Sequence, residues 1–474
     1  SMKFVVKAAL ATLAVGAIAG IYYADDYFSE KKEEQKRKDE KAIYFDTAQV
    51  IKFGFKTTSG AFEFARNSVS DDWKITSPIA VLADQAAVGN LLSAISSTMV
   101  NQELSGTQSA IKGDEKELEK YGLKDPQLTV SVTLKDGSTQ SLNVGSELNV
   151  GAKINSILQS VSAYALNPDK KNVLIISNTI LSALKGKSIE NLRSKKITKF
   201  SVADVSNIEI NTKSLGISLG KKEGQWWVLQ PANYQADVGN INSFLSQLGD
   251  LKADKVTEVS HVNDAFKLES GLNHPSGHIN LKDGAGNTLV SLPVGMNKAG
   301  IFITIENGAV AHLSLEKWAS LFPQLKYFRD KQVIKREMSD NIHAINIAKN
   351  IVFKKKDNAW YKVTSESQEI AKDSAANTDA GEFFSNWEFM MAEDIIDSPS
   401  KEDLVKYGLA KPLRTFSFLF KSEEKKPALE IIVGSRVPLD EKNIYIKKSD
   451  SKEVYIVDSQ WLALLSKLED EGKK

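Results

Sequence analysis

Cysteine is absent from the 474 residues, and histidine occurs only five times. The first absence excludes disulfides, thiolate metal sites, a cysteine nucleophile and a lipid-modified lipoprotein cysteine. It leaves the compartment open, because a cysteine-free chain suits either redox environment. An excess of charge is missing too: 61 basic residues face 60 acidic ones, for a net charge of +1. Nucleic-acid binders carry a basic excess or stripe, so no nucleic-acid partner is expected. What remains is ordinary globular composition, 42% hydrophobic and 26% charged. The chain is too long for one hydrophobic core and suits two to four domains.

One long apolar run stands out. Ser1 before Met2 is set aside as an appended residue. "FVVKAALATLAVGAIAGIYY" then runs for 20 residues from Phe4 to Tyr23. As a helix it spans about 30 Å, the thickness of a hydrocarbon core. Lys7 is close enough to its end to snorkel, and Tyr22, Tyr23, Tyr27 and Phe28 form an aromatic belt at the far side. Residues 1–28 are therefore expected to be an uncleaved signal anchor. A cleaved signal peptide is the alternative, since Ala17-Ile18-Ala19 before Gly20 has the small-x-small pattern. Lys31, Lys32, Lys36, Arg37, Lys38 and Lys41 follow the span, and a strict positive-inside count would hold the bulk in the cytoplasm. Asp25, Asp26 and Glu30 come first, however, and the N-terminal tail is very short. The expectation is a single-pass protein of a bacterial inner membrane with its bulk in the periplasm. Residues 29–42, "SEKKEEQKRKDEKA", read as a charged stalk with favourable Glu33/Arg37 and Glu34/Lys38 pairs, either helical or disordered.

The remaining chain repeats itself. "YGLKDP" begins at Tyr121, "SGLNHP" at Ser270 and "YGLAKP" at Tyr407, with glycines at 122, 271 and 408. That period is too long for a solenoid and fits whole domains. Upstream of each lies a tryptophan strand ("WKITSP", "WWVLQP", "WYKV") and then an aspartate, Asp84, Asp237 or Asp379. Each aspartate is expected to N-cap a helix, because a carboxylate accepts the free first-turn N–H groups. Val88, Leu91, Leu92 and Ile95 follow the first at helical spacing, as do Ile241, Phe244, Leu245 and Leu248 the second. Downstream lies an alternating hairpin ending in Val-Gly, at Gly145, Gly295 and Gly434. The joints also rhyme, "LRSKKITKFSVAD" with "FRDKQVIKREMSD".

The hexapeptide reads as a helix stop. Gly122, Gly271 or Gly408 would take the left-handed position after the last turn. Leu123, Leu272 or Leu409 would pack back, and Pro126, Pro275 or Pro412 would bar further helix. Tyr121 and Tyr407 precede two of the glycines. The expected fold class is α+β: one N-terminal transmembrane helix, then three tandem repeats (43–197, 198–334, 335–474), each a mainly antiparallel sheet with helices packed on it.

In this order of elements the chain resembles the bacterial family called domain of unknown function 4340, as three copies over residues 43 to 470. That family offers no catalytic residues to carry over. Its members are similar to envelope proteins encoded beside ABC-2-type permeases and to gliding-motility auxiliary subunits. The resemblance therefore implies an envelope accessory protein with an ABC permease and ATPase as partners. Ser270 departs from the pattern where Tyr121 and Tyr407 stand, and the third tryptophan-to-aspartate gap is longer than the first.

Chemistry is hard to find. His274 and His278 in "HPSGH" have zinc-like spacing, but Pro275 and Gly277 forbid the helix they would need. "GKS" at Gly186 lacks the upstream glycine of a phosphate loop. Trp226 and Trp227 are a candidate exposed aromatic contact, one of the pair facing inward and the other outward. No cofactor, metal or catalytic residue is assigned. The expectation is a non-enzymatic protein acting through protein contacts, the alternative a binding module for cell-wall glycan or exported peptide.

Overall fold

The computed structural model describes residues 2–148, 162–363, 375–422 and 425–473. The chain opens with a single helix, Met2–Glu40, of 39 residues, about 58 Å long at 1.5 Å per residue. It runs unbroken through the apolar segment and the charged stalk, so the stalk is helical rather than disordered. Glu34 and Lys38 pair along it at 3.3 Å. This helix is long and apolar enough to cross a membrane, by length and composition.

Three antiparallel sheets follow. The first uses β1 (Val50–Thr57), β2 (Gly60–Ala65), β3 (Lys74–Ser77), β4 (Val81–Leu82), β5 (Val100–Glu103), β6 (Leu128–Leu134), β7 (Thr139–Glu147), β8 (Ser162–Leu166) and β9 (Leu174–Ser177). Their order is β4-β3-β2-β1-β6-β7-β8-β9-β5. The second uses β10 (Asn207–Thr212), β11 (Gly216–Lys222), β12 (Gln225–Gln230), β13 (Tyr234–Gln235), β14 (Lys255–Thr257), β15 (Gly277–Lys282), β16 (Thr288–Asn297), β17 (Gly300–Thr304) and β18 (Val310–Leu313). It repeats the first order as β13-β12-β11-β10-β15-β16-β17-β18-β14. The third uses β19 (Ile342–Ala348), β20 (Ile351–Lys356), β21 (Ala359–Val363), β22 (Asp394–Ile396), β23 (Arg414–Phe420), β24 (Leu429–Val437), β25 (Asp440–Lys448) and β26 (Val454–Asp458). Its order is β21-β20-β19-β23-β24-β25-β26-β22. By density of contacts the chain forms two compact units. One is Ser1–Ile197 with Leu251–Ser270 and Phe302–Leu313; the other is Thr198–Asp250, Gly271–Ile301 and Ser314–Lys474.

Each repeat carries a long helix after its tryptophan strand, Gln85–Ser96, Val238–Asp250 and Ala375–Glu388, and the third adds the C-terminal helix Trp461–Gly472. Val88, Leu91, Leu92 and Ile95 are buried on the first, and Ile241, Phe244, Leu245 and Leu248 on the second. Burial of each such side chain stabilises by about 1.5–3 kcal/mol. Strand alternation places a second, smaller cluster on the opposite face. In β8, Ala163 and Ala165 join the main core, while Tyr164 and Leu166 meet Tyr121 and Leu123. In β25, Ile444 and Ile446 face the main core and Tyr445 meets Tyr407 and Leu409. The hexapeptide helices, Glu115–Lys120 and Lys401–Lys406, thus cover the sheet face that the long helices leave open.

Asp379 corrects one expectation. It lies inside the third long helix, which begins at Ala375, so it is not an N-cap. Its carboxylate is buried and reaches Lys467 Nζ at 3.1 Å. A carboxylate one turn into a helix no longer faces free N–H groups, and here a cation on the C-terminal helix Trp461–Gly472 takes it instead.

Candidate functional site

The hexapeptides build a repeated latch. Gly122, Gly271 and Gly408 have φ of 69°, 75° and 72°. In the first repeat Leu123 N–H donates to Leu118 O at 2.8 Å and Gly122 N–H to Glu119 O at 3.2 Å. In the third, Leu409 N–H donates to Leu404 O at 2.9 Å and Gly408 N–H to Val405 O at 3.1 Å. Both are Schellman caps, which satisfy the orphan carbonyls of the last turn. The cap then receives the hairpin. Ser146 N–H donates to Tyr121 O at 2.8 Å, and Ser435 N–H to Tyr407 O at 2.9 Å. A Cβ on Gly145 would lie 2.1 Å from Tyr121 O, and one on Gly434 2.3 Å from Tyr407 O. A Cβ on Gly271 would lie 3.0 Å from Met296 O. The Gly-Leu and Val-Gly signatures are therefore two halves of one backbone contact. Tyr121 and Tyr407 extend it by packing on Tyr164 and Tyr445 at 4.9 and 4.3 Å. Ser270 is buried in the second repeat. Leu123 and Leu409 are buried and Leu272 half-buried, while Pro126 and Pro275 are half-buried and Pro412 exposed.

The joints hold the most deeply buried arginine. Arg193 follows the short helix Ile189–Leu192 and bridges to Ala83. Asp84 N–H donates to Leu192 O, and Ser194 N–H to Leu82 O, both at 2.8 Å. The Arg193 side chain is 2% exposed, and its Nη1 donates to both oxygens of Glu258 at 2.7 Å. Arg329 repeats the arrangement after Leu325–Phe328. It bridges to Ala236, and Asp237 N–H donates to Phe328 O at 2.8 Å. Arg329 Nη1 reaches Asp397 Oδ1 at 2.5 Å, and its guanidinium lies 3.8 Å over the Tyr234 ring. Tyr234 OH donates to Asp397 Oδ2 at 3.0 Å. Glu258 directly follows β14 and Asp397 directly follows β22, so the acceptors occupy the same place in successive repeats.

Asp84 and Asp237 serve twice. Their backbone N–H closes the joint, while the side chains accept from Ala87 N–H at 3.0 Å and Asn240 N–H at 2.9 Å at the start of the long helices. The joints' arginines are visible in the rhyming basic segments. Their carboxylate partners went unseen, because nothing nearby in sequence marks them.

Trp226 is buried in the core beneath Lys221, whose Nζ is 5.2 Å from the ring centroid. It is no exposed contact. Trp227 is half-buried on the other face, opposite Gly220. On the corresponding face of the first sheet, an open groove of about 460 Å³ has a mixed lining that includes Lys52, Lys56, Glu63, Ala61, Ser131 and Gly54. His274 and His278 are exposed, and among the described residues no group of three His, Cys, Asp or Glu could hold a metal ion.

Tyr455, on β26, sits under Lys448, whose Nζ is 5.2 Å from its ring centroid. Burial, with Glu453 nearby, pushes its phenol up to about 12. Burial shifts the Lys448 ammonium the other way, downward. A phenol raised on folding stabilises below its unfolded value, about 10, and that contribution disappears as pH climbs through 12. Between those limits Tyr455→Phe should abolish an alkaline stability loss of about 2–3 kcal/mol. Urea titrations at stepwise higher pH test this; an unchanged alkaline slope in the variant would contradict the assignment.

The profile of a domain of unknown function (DUF4340) matches the chain three times, over residues 73–232, 226–388 and 382–471. The first two matches begin at the strand tryptophans Trp73 and Trp226. No curated protein and no solved structure matches the chain. Three tandem matches covering most of the chain, each spanning the same latch, place this protein in the family of the domain of unknown function DUF4340.

Proposed function

We propose that the protein is a non-enzymatic, membrane-anchored scaffold of the bacterial envelope. It would serve as an auxiliary subunit of an ABC-type export or gliding-type machine, with its repeats in the periplasm. The observation that carries this reading is the unbroken helix Met2–Glu40, which leads from an apolar span directly into the buried Ala42 and Ile43 of the first repeat. The twelve residues after Phe28 within it hold the first sheet roughly 18 Å from the apolar segment. A fixed stand-off suits a protein that meets a membrane-embedded partner at a set height. Crosslink-stabilised pull-down of the full chain from membranes, with mass spectrometry, tests the proposal. Near-stoichiometric recovery of a permease and an ATPase is the expected result. Recovery of the protein alone, from extracts in which other transporters stay assembled, would reject it. The second reading, a module for glycan or exported peptide, is favoured by the open groove of mixed lining on the first sheet, and glycan-array binding would support it.

A further inference from the structure

The joints between repeats share a backbone pattern that recurs once more, where no joint between repeats exists. Lys196 and Gln332 form isolated antiparallel bridges with Lys252 and Met391, and Lys41 forms the same bridge with Met99. One residue further on, the N–H groups of Ile197 and Val333 donate to Leu251 O and Met390 O at 3.2 and 3.1 Å. Ala42 N–H donates to Thr98 O at 2.9 Å. Counting three residues back from the bridge gives Arg193, Arg329 and Lys38. The end of the N-terminal helix therefore enters the first repeat as the closing segment of one repeat enters the next.

The clamp on that seat is inverted. Glu258 and Asp397 stand six residues after Lys252 and Met391, but six residues after Met99 stands Ser105, which has no charge. Lys38 turns instead to Glu34 on its own helix, at 3.3 Å. The cation comes from the receiving side. Lys170 Nζ donates to Lys38 O at 2.6 Å and to Asp39 O at 3.3 Å. Buried Asn167 donates through Nδ2 to Ala42 O at 2.8 Å. A helix C-terminus presents unpaired carbonyls and a partial negative charge, so a lysine replaces the carboxylate of the other joints.

We infer that the N-terminal helix is seated on the first repeat in the place that a preceding repeat takes on the second and third. Lys170 is the positioning residue of this seat, and helix and first repeat form one rigid lever. Reorientation of the helix would then turn the first sheet with it instead of being absorbed at residues 40–42. This does not depend on which partner the protein has.

The absence of native cysteine makes the test clean. Nitroxides at Lys32→Cys and Lys116→Cys, both exposed, report the distance between helix and first repeat in the full chain in lipid nanodiscs. A Gly-Gly insertion between Glu40 and Lys41 is the uncoupled reference and leaves the repeat untouched. The lever predicts a narrow native distance distribution, at least doubled in width by the insertion and by Lys170→Met. Lys170→Arg, which keeps the donor, should restore the narrow distribution. A native distribution as wide as that of the insertion would overturn the inference whether or not Lys170→Met folds. A narrow distribution in folded Lys170→Met would remove Lys170 from its role.

Discussion

Gly122→Ala is expected to destabilise the first repeat by about 2–5 kcal/mol. Two costs combine. Its φ of 69° is left-handed, which costs an L-residue about 1–2 kcal/mol. Its Cβ would also fall 2.1 Å from Ser146 Oγ and 2.6 Å from Ser146 N. The hydroxyl can rotate away, but the backbone nitrogen cannot without breaking the hydrogen bond from Ser146 to Tyr121. Overpacking of this kind adds about 1–3 kcal/mol. Gly137→Ala separates the two costs, since Gly137 has φ of 85° and nothing within 4 Å of its would-be Cβ. That variant should lose only about 1–2 kcal/mol. Hydrogen exchange of the β6 and β7 amides reads both; equal losses would mean that the latch contributes nothing beyond its turn. Gly408→Ala should behave like Gly122→Ala in the third repeat, where Ser435 N would lie 2.8 Å from the new Cβ.

Glu258→Ala comes next in size, at about 3 kcal/mol, toward the lower end of what breaking a buried ion pair costs. The charge left behind is Arg193, only 2% exposed, whereas Glu258 is itself 23% exposed and leaves a partly wet gap. Replacing both, as Arg193→Met with Glu258→Leu, should recover most of the loss, because no unpaired charge then remains buried. Asp397→Ala should cost less, since Asp397 is 36% exposed and solvent screens what is lost. Exchange of the Ser194 and Asp84 amides, which close the first joint, measures the effect. Additive single-variant losses in the double variant would show that the two residues do not act as a pair.

Much of this architecture is legible along the chain. The spacing of Val88, Leu91, Leu92 and Ile95 is enough to place a helix, because helix periodicity depends on near neighbours. A glycine before leucine and, three residues later, proline marks a helix stop for the same reason. Asp379 resisted, since its role depends on where the helix begins and on Lys467, 88 residues away. The tryptophan pair resisted in part: alternation separates Trp226 from Trp227, but only the packed sheet buries the first and half-covers the second.

By itself the sequence determined the repeat, the caps at Asp84 and Asp237, the hairpins and the apolar span, all of which follow from residues within a few positions of one another. The tertiary structure alone decided which groups meet. It put Arg193 on Glu258, 65 residues on, and Lys170 on Lys38, 132 residues back. It also set Gly145 against the carbonyl of Tyr121. The physical reason is that local propensity is a property of neighbouring residues. A buried ion pair or a backbone latch exists only once sheet order has brought distant segments together and excluded water from between them.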